Sequence, residues 1–364
     1  MEKTLLDYLS EVPDFRQENK NFRHSLLDIL FLSICATFSG AEDFEDIALY
    51  GEDKLEFLQT FLPFTHGIPS HDTIRRVFMH LDSEAFEKQF MAWIQASISE
   101  VGLSGKQISI DGKTLRGSKK GIHLVSAVVS ELGLSLGQVK TDAKSNEITA
   151  IPTLLDMLDL QGCIVSIDAI GTQHSIADKI LEKGGDYFLA LKGNQGDLFA
   201  QVQDQFARKG ASEIYQVSDW AASHNQVVDY EVTVSQDFSW VDNAPRWSKL
   251  NSLVKVVTQS PLREKEMRYY ISSLDNLSGA KAYELARGHW RIENQLHWQL
   301  DVTFKEDQQR HRTGNAPQNL ALIRKIVLNS AHMYQKGLSK KKILKKMAWN
   351  EQYCLEMIKK VLQL

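Results

Sequence analysis

Cysteine is scarce in this chain. There are three in 364 residues, Cys35, Cys163 and Cys354, far apart and odd in number. No Cys-x-x-Cys occurs, so neither a zinc knuckle nor a disulfide framework is expected, and a reducing cytoplasm suits the composition best. Long apolar runs are missing too. The stretch Leu26 to Ala36 is broken by Asp28 and Ser33, and nothing approaches the roughly 18 residues that a membrane span needs. The opening Met1-Glu2-Lys3 carries no signal-peptide pattern. Positive charge is in short supply: 42 Lys and Arg stand against 46 Asp and Glu, a net charge of −4. Taken alone, that balance argues mildly against a nucleic-acid partner, whose phosphates call for cations. Neither an internal repeat nor a low-complexity tract is found.

What is present is ordinary in bulk and uneven in distribution. Hydrophobic residues make up 43% and charged residues 24%, as in soluble globular proteins. A chain of this length exceeds one compact core, so two or three domains are expected. Residues 1–100 hold 8 Lys and Arg against 18 Asp and Glu, whereas 302–346 hold 11 against 2. The basic run Lys340-Lys341-Lys342 with Lys345-Lys346 reads equally as a partner surface or a solvated helix face.

Apolar spacing and caps predict an N-terminal helical domain over 1–100. Ser25 is expected to cap a helix over 26–38 that stops near Gly40. Helices follow at 42–50, 54–61, 73–81 capped by Ser70, and 86–98 capped by Ser83. The pair at 70–98 is either a helix-turn-helix or, as its acidity favours, part of a plain bundle. From Gln107 the period changes to two. Strands are expected at 108–111, 123–130, 134–140, 164–168 and 187–191, with helices at 146–160 and 174–183 between them. That order suggests a mixed α/β sheet flanked by helices over 101–211. Residues 212–277 read as a β-rich insertion with strands at 227–234, 252–258 and 267–273. Residues 278–364 read as a C-terminal helical part with a basic tail: helices at 281–300, 318–334 and 340–362.

Two aspartates end apolar strands. Asp111 follows Ile108-Ser-Ile110, and Asp168 follows Ile164-Val-Ser-Ile167. Carboxylates there face the rim of a sheet, where α/β folds bind ligands. Side by side, they repel unless a cation is shared, and Mg²⁺ accepts a few carboxylates plus waters and phosphate oxygens. Singly, either reads better as a helix or turn cap after a strand. The third group is Glu293, in Arg287-Gly-His-Trp-Arg-Ile-Glu-Asn-Gln-Leu-His-Trp-Gln-Leu-Asp301. Helical spacing puts His289, Glu293, His297 and Asp301 on one polar stripe, with Trp290, Leu296 and Trp298 as the buried side. His289 and His297 are two turns apart, about 12 Å at roughly 1.5 Å per residue, too far to share a zinc ion. His-Glu-x-x-His is absent.

Several segments together resemble one family. Ile110-Asp-Gly-Lys-Thr-Leu-Arg-Gly-Ser118 resembles the first-aspartate motif of the H-repeat-associated transposases, DDE transposases of the ISAs type of bacterial insertion sequence. Lys144-Ser-Asn-Glu-Ile148 resembles their connecting segment, and Ser166-Ile-Asp-Ala-Ile-Gly-Thr-Gln173 their second-aspartate motif, with Ile170 where methionine is usual. Gly185-Asp-Tyr-Phe-Leu-Ala-Leu-Lys-Gly-Asn-Gln195 follows in order. His289-Trp-Arg-Ile-Glu-Asn294 and Leu296 to Asp307 resemble the glutamate motif, and Pro69-Ser-His-Asp-Thr73 a motif of the N-terminal associated domain. The likeness spans nearly the whole chain.

The resemblance implies a ribonuclease H-like catalytic domain whose first, fourth and last elements carry Asp111, Asp168 and Glu293. It implies two Mg²⁺ ions on these carboxylates, with Mn²⁺ able to substitute, and hydrolysis and strand transfer of DNA at one centre. The gap between Asp168 and Glu293 has room for the β-rich insertion. The partners implied are double-stranded DNA, namely terminal inverted repeats and target, with a homodimer on DNA one way to join two ends. The location implied is the bacterial cytoplasm, at the nucleoid, with no membrane. Lys113, Arg116, Lys192, His297, Lys305, Arg310 and Arg312 flank the motifs as candidate DNA contacts. Three rivals remain at this point. One is a nuclease or resolvase on the same fold, which needs the triad but not strand transfer. Another is an inactive DNA-binding relative, which would not need the carboxylates. The third is a structural protein with charge-segregated helices, which predicts no metal binding.

Overall fold

A computed structural model describes residues 3–16, 23–99, 101–116, 121–141, 147–208, 213–221, 226–261, 263–334 and 337–363. Of the motif segments, Gly117, Ser118 and Lys144–Asn146 fall outside the described residues.

The chain opens with helices whose starts are chemically marked. Thr4 makes a capping box for α1 (Leu5–Ser10). Ser25 caps α2 (Leu26–Phe38), its hydroxyl accepting the Asp28 N–H at 2.9 Å. The helix α2 is buried from Ile29 to Phe38 and forms the centre of the N-terminal layer. Then come α3 (Phe44–Asp53), α4 (Leu55–Leu58), α5 (His71–His80), capped by Ser70, and α6 (Ser83–Ile98). The cap of α6 is Asp82, not the expected Ser83; its carboxylate accepts the Glu84 and Ala85 N–H groups. A carboxylate there also meets the positive end of the helix dipole.

The sheet begins with β1 (Gln107–Leu115), β2 (Ile122–Val129) and β3 (Leu134–Thr141). Helix α7 (Glu147–Met157), β4 (Ile164–Ile167), α8 (His174–Glu182) and β5 (Asp186–Leu191) follow. Strand order is β3-β2-β1-β4-β5, with β1, β4 and β5 parallel and β2 antiparallel to its neighbours. This is the ribonuclease H-like arrangement.

The next element, α9 (Gly196–Arg208), lies outside the expected helices, although Leu198, Phe199, Val202 and Phe206 have helical spacing. Strands β6 (Glu213–Ala221), β7 (Gln226–Ser235), β8 (Ser252–Ser260) and β9 (Arg263–Ser272) form an antiparallel meander. Strand β9 pairs with β5 from Phe188↔Ser272 to Leu191↔Tyr269. These four strands thereby continue the central sheet, to nine strands among the described residues.

Helix α10 (Gly279–Ile292) starts at the Ser278 cap and ends earlier than its apolar pattern suggested. After it come α11 (Ala316–Tyr334), α12 (Lys340–Trp349) and α13 (Glu351–Leu362). The single helix expected over 340–362 is two, because Asn350 stops α12 and caps α13, its Oδ1 accepting the Tyr353 N–H at 2.9 Å. Helix α11 is buried from Ala316 to Ala331. It packs on α2, α5 and α6 on one side and β3 on the other. Asn315 and Asn319 donate to the carbonyls of Phe78 and Leu81, so the α5–α6 turn faces α11 in the interior. That suits a bundle better than an exposed helix-turn-helix. Among the described residues, no helix is long and apolar enough to cross a membrane.

Candidate active site

The site starts from strand register. Ile110 of β1 is the last partner of Ile167 of β4. Asp111 and Asp168 are the next residues on each, so they leave adjacent parallel strands at one level. Asp168 caps a short 3-10 turn, Ala169–Gly171, through the Ile170 N–H at 3.0 Å. Asp111 is not at the end of its strand, contrary to expectation. β1 runs on to Leu115, paired there with β2 alone. Asp111 thus overhangs the rim that β4 has left.

Glu293 arrives on α10. This helix lies close to the sheet at Gly288, where a Cβ would overlap the Gln107 amide oxygen and stand 2.9 Å from its Cδ. Gln107 donates to Ser166 Oγ at 2.7 Å and to the Leu285 carbonyl at 2.9 Å, fastening helix to strands. Ser109, Ser130, Ser166 and His289 extend this buried hydrogen-bonded row. Past Ile292 the backbone changes. Glu293–His297 and Gln299–Thr303 are π turns, so the α-helical stripe holds only as far as Glu293. Such wide turns recur at functional sites. Leu296 is buried as expected, but Trp290 and Trp298 are exposed.

Asp111, Asp168 and Glu293 line one cavity of about 290 Å³, together with Lys192, Phe199, Arg268, Tyr269, His289 and Trp290. Among the described residues, no group of three or more His, Cys, Asp or Glu is already gathered as a metal cage. A hard cation that keeps waters and takes substrate oxygens does not need one. The donor set is oxygen, and its charge is unbalanced. Burial pushes the Asp111 carboxyl up to about 7, against a lowering bond from the Gly112 N–H, and Asp168, Glu147 and Glu293 push it further up. A divalent cation would remove that conflict, so these residues fit one.

The two histidines are neutral near pH 7. Burial lowers His289 to about 4, although Asp168 pulls the other way. Burial, followed by Lys113 and Lys325, lowers His297 to about 3. His297 Nδ1 is 3.6 Å from Asp111 Oδ2, and its Nε2 is buried with no hydrogen-bond partner among the described residues.

The flanking cations divide. Lys192 is exposed on the cavity wall. Arg116 is largely exposed, 3.7 Å from Asp307. Arg310 and Arg312 are exposed, and Lys305 pairs with Glu42 of the N-terminal layer. Lys113 differs from all of these. Its side chain is 11% exposed, 2.6 Å from Glu306 and bonded to Asp301. Burial works against its charge, but Glu306 and Asp301 outweigh it and raise the pKa. Its ammonium is already engaged by two carboxylates, unlike those of the other flanking cations. The basic stretch 302–346 likewise overstates the available surface, since Arg324 and Lys325 are buried. Arg324 donates to Gln309 and the Glu42 carbonyl, Lys325 to Ser126 and Gln138.

Two further features have no direct signal in the motif spacing. Arg268 stacks over Trp290 at 3.9 Å on the cavity wall; they are distant in sequence, and nothing local pairs them. A buried His123–Glu147 pair at 2.5 Å lies under Gly112, whose hydrogen is all that fits there. Glu147 lies in the connecting motif, where it could have been found.

Two protein-family models match this chain. The DDE_Tnp_1-associated model covers residues 6–94, and the Transposase DDE domain model covers 102–330. The chain is 39% identical to "H repeat-associated putative transposase YhhI" of Escherichia coli strain K12, over 98% of both chains. It is 40% identical to "Putative transposase YncI" of Escherichia coli O157:H7, over 98% of this chain and 94% of that one. A cryo-EM structure of the piggyBac transposase synaptic complex with hairpin DNA covers 98% of this chain and is covered to 78%, at 12% identity and a TM-score of 0.44, a distant likeness only. With both domain models matched in order and relatives aligned over 94% and 98% of their lengths, this chain belongs to the DDE transposases of the H-repeat-associated type.

Proposed function

We propose that this chain cuts and joins DNA strands at the cavity lined by Asp111, Asp168 and Glu293, in a divalent-cation-dependent reaction. One observation carries the reading: three carboxylates from β1, the end of β4 and the end of α10 line one cavity on the rim of a ribonuclease H-like sheet. Two Mg²⁺ ions, replaceable by Mn²⁺, would be held by these three residues and would supply a lowered pKa for bound water and neutralisation of developing phosphate charge.

The chain's own residues do the rest. The backbone N–H groups of Gly112 and Ile170 each bond the carboxylate before them and fix its rotamer. His289 is held by Ser166. Neutral His297 sits against Asp111 without adding a charge that would compete with a cation. Lys192 on the wall and Arg116, Arg310 and Arg312 nearby are placed in the reading as phosphate contacts, which position DNA without reading its sequence. In this division of labour, 1–100 is the associated helical domain. Residues 101–211 and 278–364 build the catalytic domain, and 212–277 form the β-rich insertion. The work would take place in the bacterial cytoplasm on double-stranded ends and target, with two copies pairing the ends.

The test is cleavage and joining of labelled element-end DNA with Mg²⁺ or Mn²⁺, by wild type and by Asp111→Ala, Asp168→Ala and Glu293→Ala. Metal-dependent nicking and joining, lost in all three variants, is the expected result. Cleavage without joining, with correct ends and target supplied, would turn the reading into a nuclease. Activity surviving one substitution would remove that residue from the site.

A further inference from the structure

Residues 111 and 113 point to one face of β1, two positions apart. Asp111 faces His297, and Lys113 faces Asp301 and Glu306. The segment after α10 therefore lies along β1 and touches it twice. Upstream of Glu293, α10 is anchored to the sheet by Gln107 under Gly288. Downstream, two π turns and the left-handed residue Lys305 make an irregular run. Glu293 itself is exposed and sits between anchor and run.

The downstream fastening is a buried charge cluster. Glu306 is 2% exposed, bonded by Lys113 on one side and 3.9 Å from buried Arg324 on the other. Arg324 reaches the Glu42 carbonyl, and Lys305 the Glu42 carboxylate. The line runs from the N-terminal layer to the strand that carries Asp111.

We propose that Lys113 is a positioning residue: it clamps the segment 297–306 onto β1 and so holds Glu293 at the cavity. The clamp acts without touching DNA or the reacting atoms. The inference rests on the cation reading of the site, and its test separates the two.

The test uses the full chain and four variants. Lys113→Met breaks the clamp. Lys113→Met with Asp301→Asn breaks it while leaving the Glu306–Arg324 pair balanced, in case the single variant does not fold. Lys113→Arg keeps a cation, and Glu293→Gln reports the site. Three quantities are measured: Mn²⁺ affinity by calorimetry, amide hydrogen exchange over 293–309, and the salt dependence of DNA binding. Both clamp-breaking variants are expected to bind Mn²⁺ at least tenfold more weakly and to exchange faster over 293–309. Exchange in β2 and the salt slope should be unchanged, and Lys113→Arg should recover most of the affinity. Wild-type exchange over 293–309 in both clamp-breaking variants overturns the clamp. So does a salt slope reduced by one phosphate contact at unchanged Mn²⁺ affinity. If Glu293→Gln binds Mn²⁺ as wild type does, the cation reading fails on its own, and hydrogen exchange still decides the clamp.

Discussion

The contact between Gly288 and Gln107 makes a sharp prediction about Gly288→Ala. In an exposed helix the change should stabilise by about 1 kcal/mol, since alanine is the better helix former. Here the new Cβ would occupy the place of the Gln107 amide oxygen. Gln107 is 2% exposed and bonded to Ser166 and the Leu285 carbonyl. Displacing it breaks two buried hydrogen bonds, at about 1–3 kcal/mol each when partners are left unmet. Ser166 keeps Ser109 and His289 as partners, which puts the cost toward the lower end. The net expectation is a loss of about 1–3 kcal/mol. For a chain this long, roughly 1.3 °C follow each kcal/mol, so Tm should fall by about 1–4 °C. Differential scanning calorimetry on the metal-free protein reads it. The partner variant Gln107→Ala clears the space, so Gly288→Ala added to it should be neutral or stabilising, a strong departure from additivity. A Tm for Gly288→Ala at or above wild type would refute the reasoning, because α10 would then not depend on that approach.

Three further outcomes are expected. Gly112→Ala puts a Cβ 2.5 Å from Glu147 Oε1, into the His123–Glu147 pair, and should cost at least about 2 kcal/mol because the pair is buried; a denaturant midpoint within error of wild type would contradict it. Asp111 has a folded pKa near 7, above its unfolded value, so the metal-free fold holds a proton that the unfolded chain releases. Its stability contribution therefore declines as pH rises from about 4 to 7 and stays low above; added Mg²⁺ should raise Tm more at pH 8 than at pH 5, and an equal or reversed effect counts against it. Asn350→Ala removes the cap of α13 and should cost about 1 kcal/mol, read by thermal melting, with DNA cleavage unchanged.

The sequence showed the positions of Asp111 and Asp168 because each ends an apolar run, and strand register then made them neighbours. Caps marked α2 and α5 for the same local reason. What stayed hidden depends on contacts between distant segments. Edge strand β6 exposes Ile214 and Trp220, so its alternation does not divide inside from outside. The π turns after Ile292 interrupt an apolar spacing that reads as one helix to Leu300, and no residue there marks them in the sequence. Lys113 looked like a free cation because Glu306, nearly two hundred positions on, is its partner. The charge count along 302–346 does not separate surface from interior, and Arg324 and Lys325 balance carboxylates inside.

Helix α11 is made late in synthesis, yet it completes what is made first. Until residues 316–334 leave the ribosome, α2, α5 and α6 have no partner along the side that faces it, and β3 lacks part of its cover. Order of manufacture and order of folding therefore part company: the early helices wait as an exposed apolar layer for a segment more than two hundred residues downstream. A gene truncated before that segment would yield a sticky fragment, although Asp111, Asp168 and Glu293 are already encoded. Quality-control proteases would be expected to clear such a fragment before its intact carboxylates met DNA.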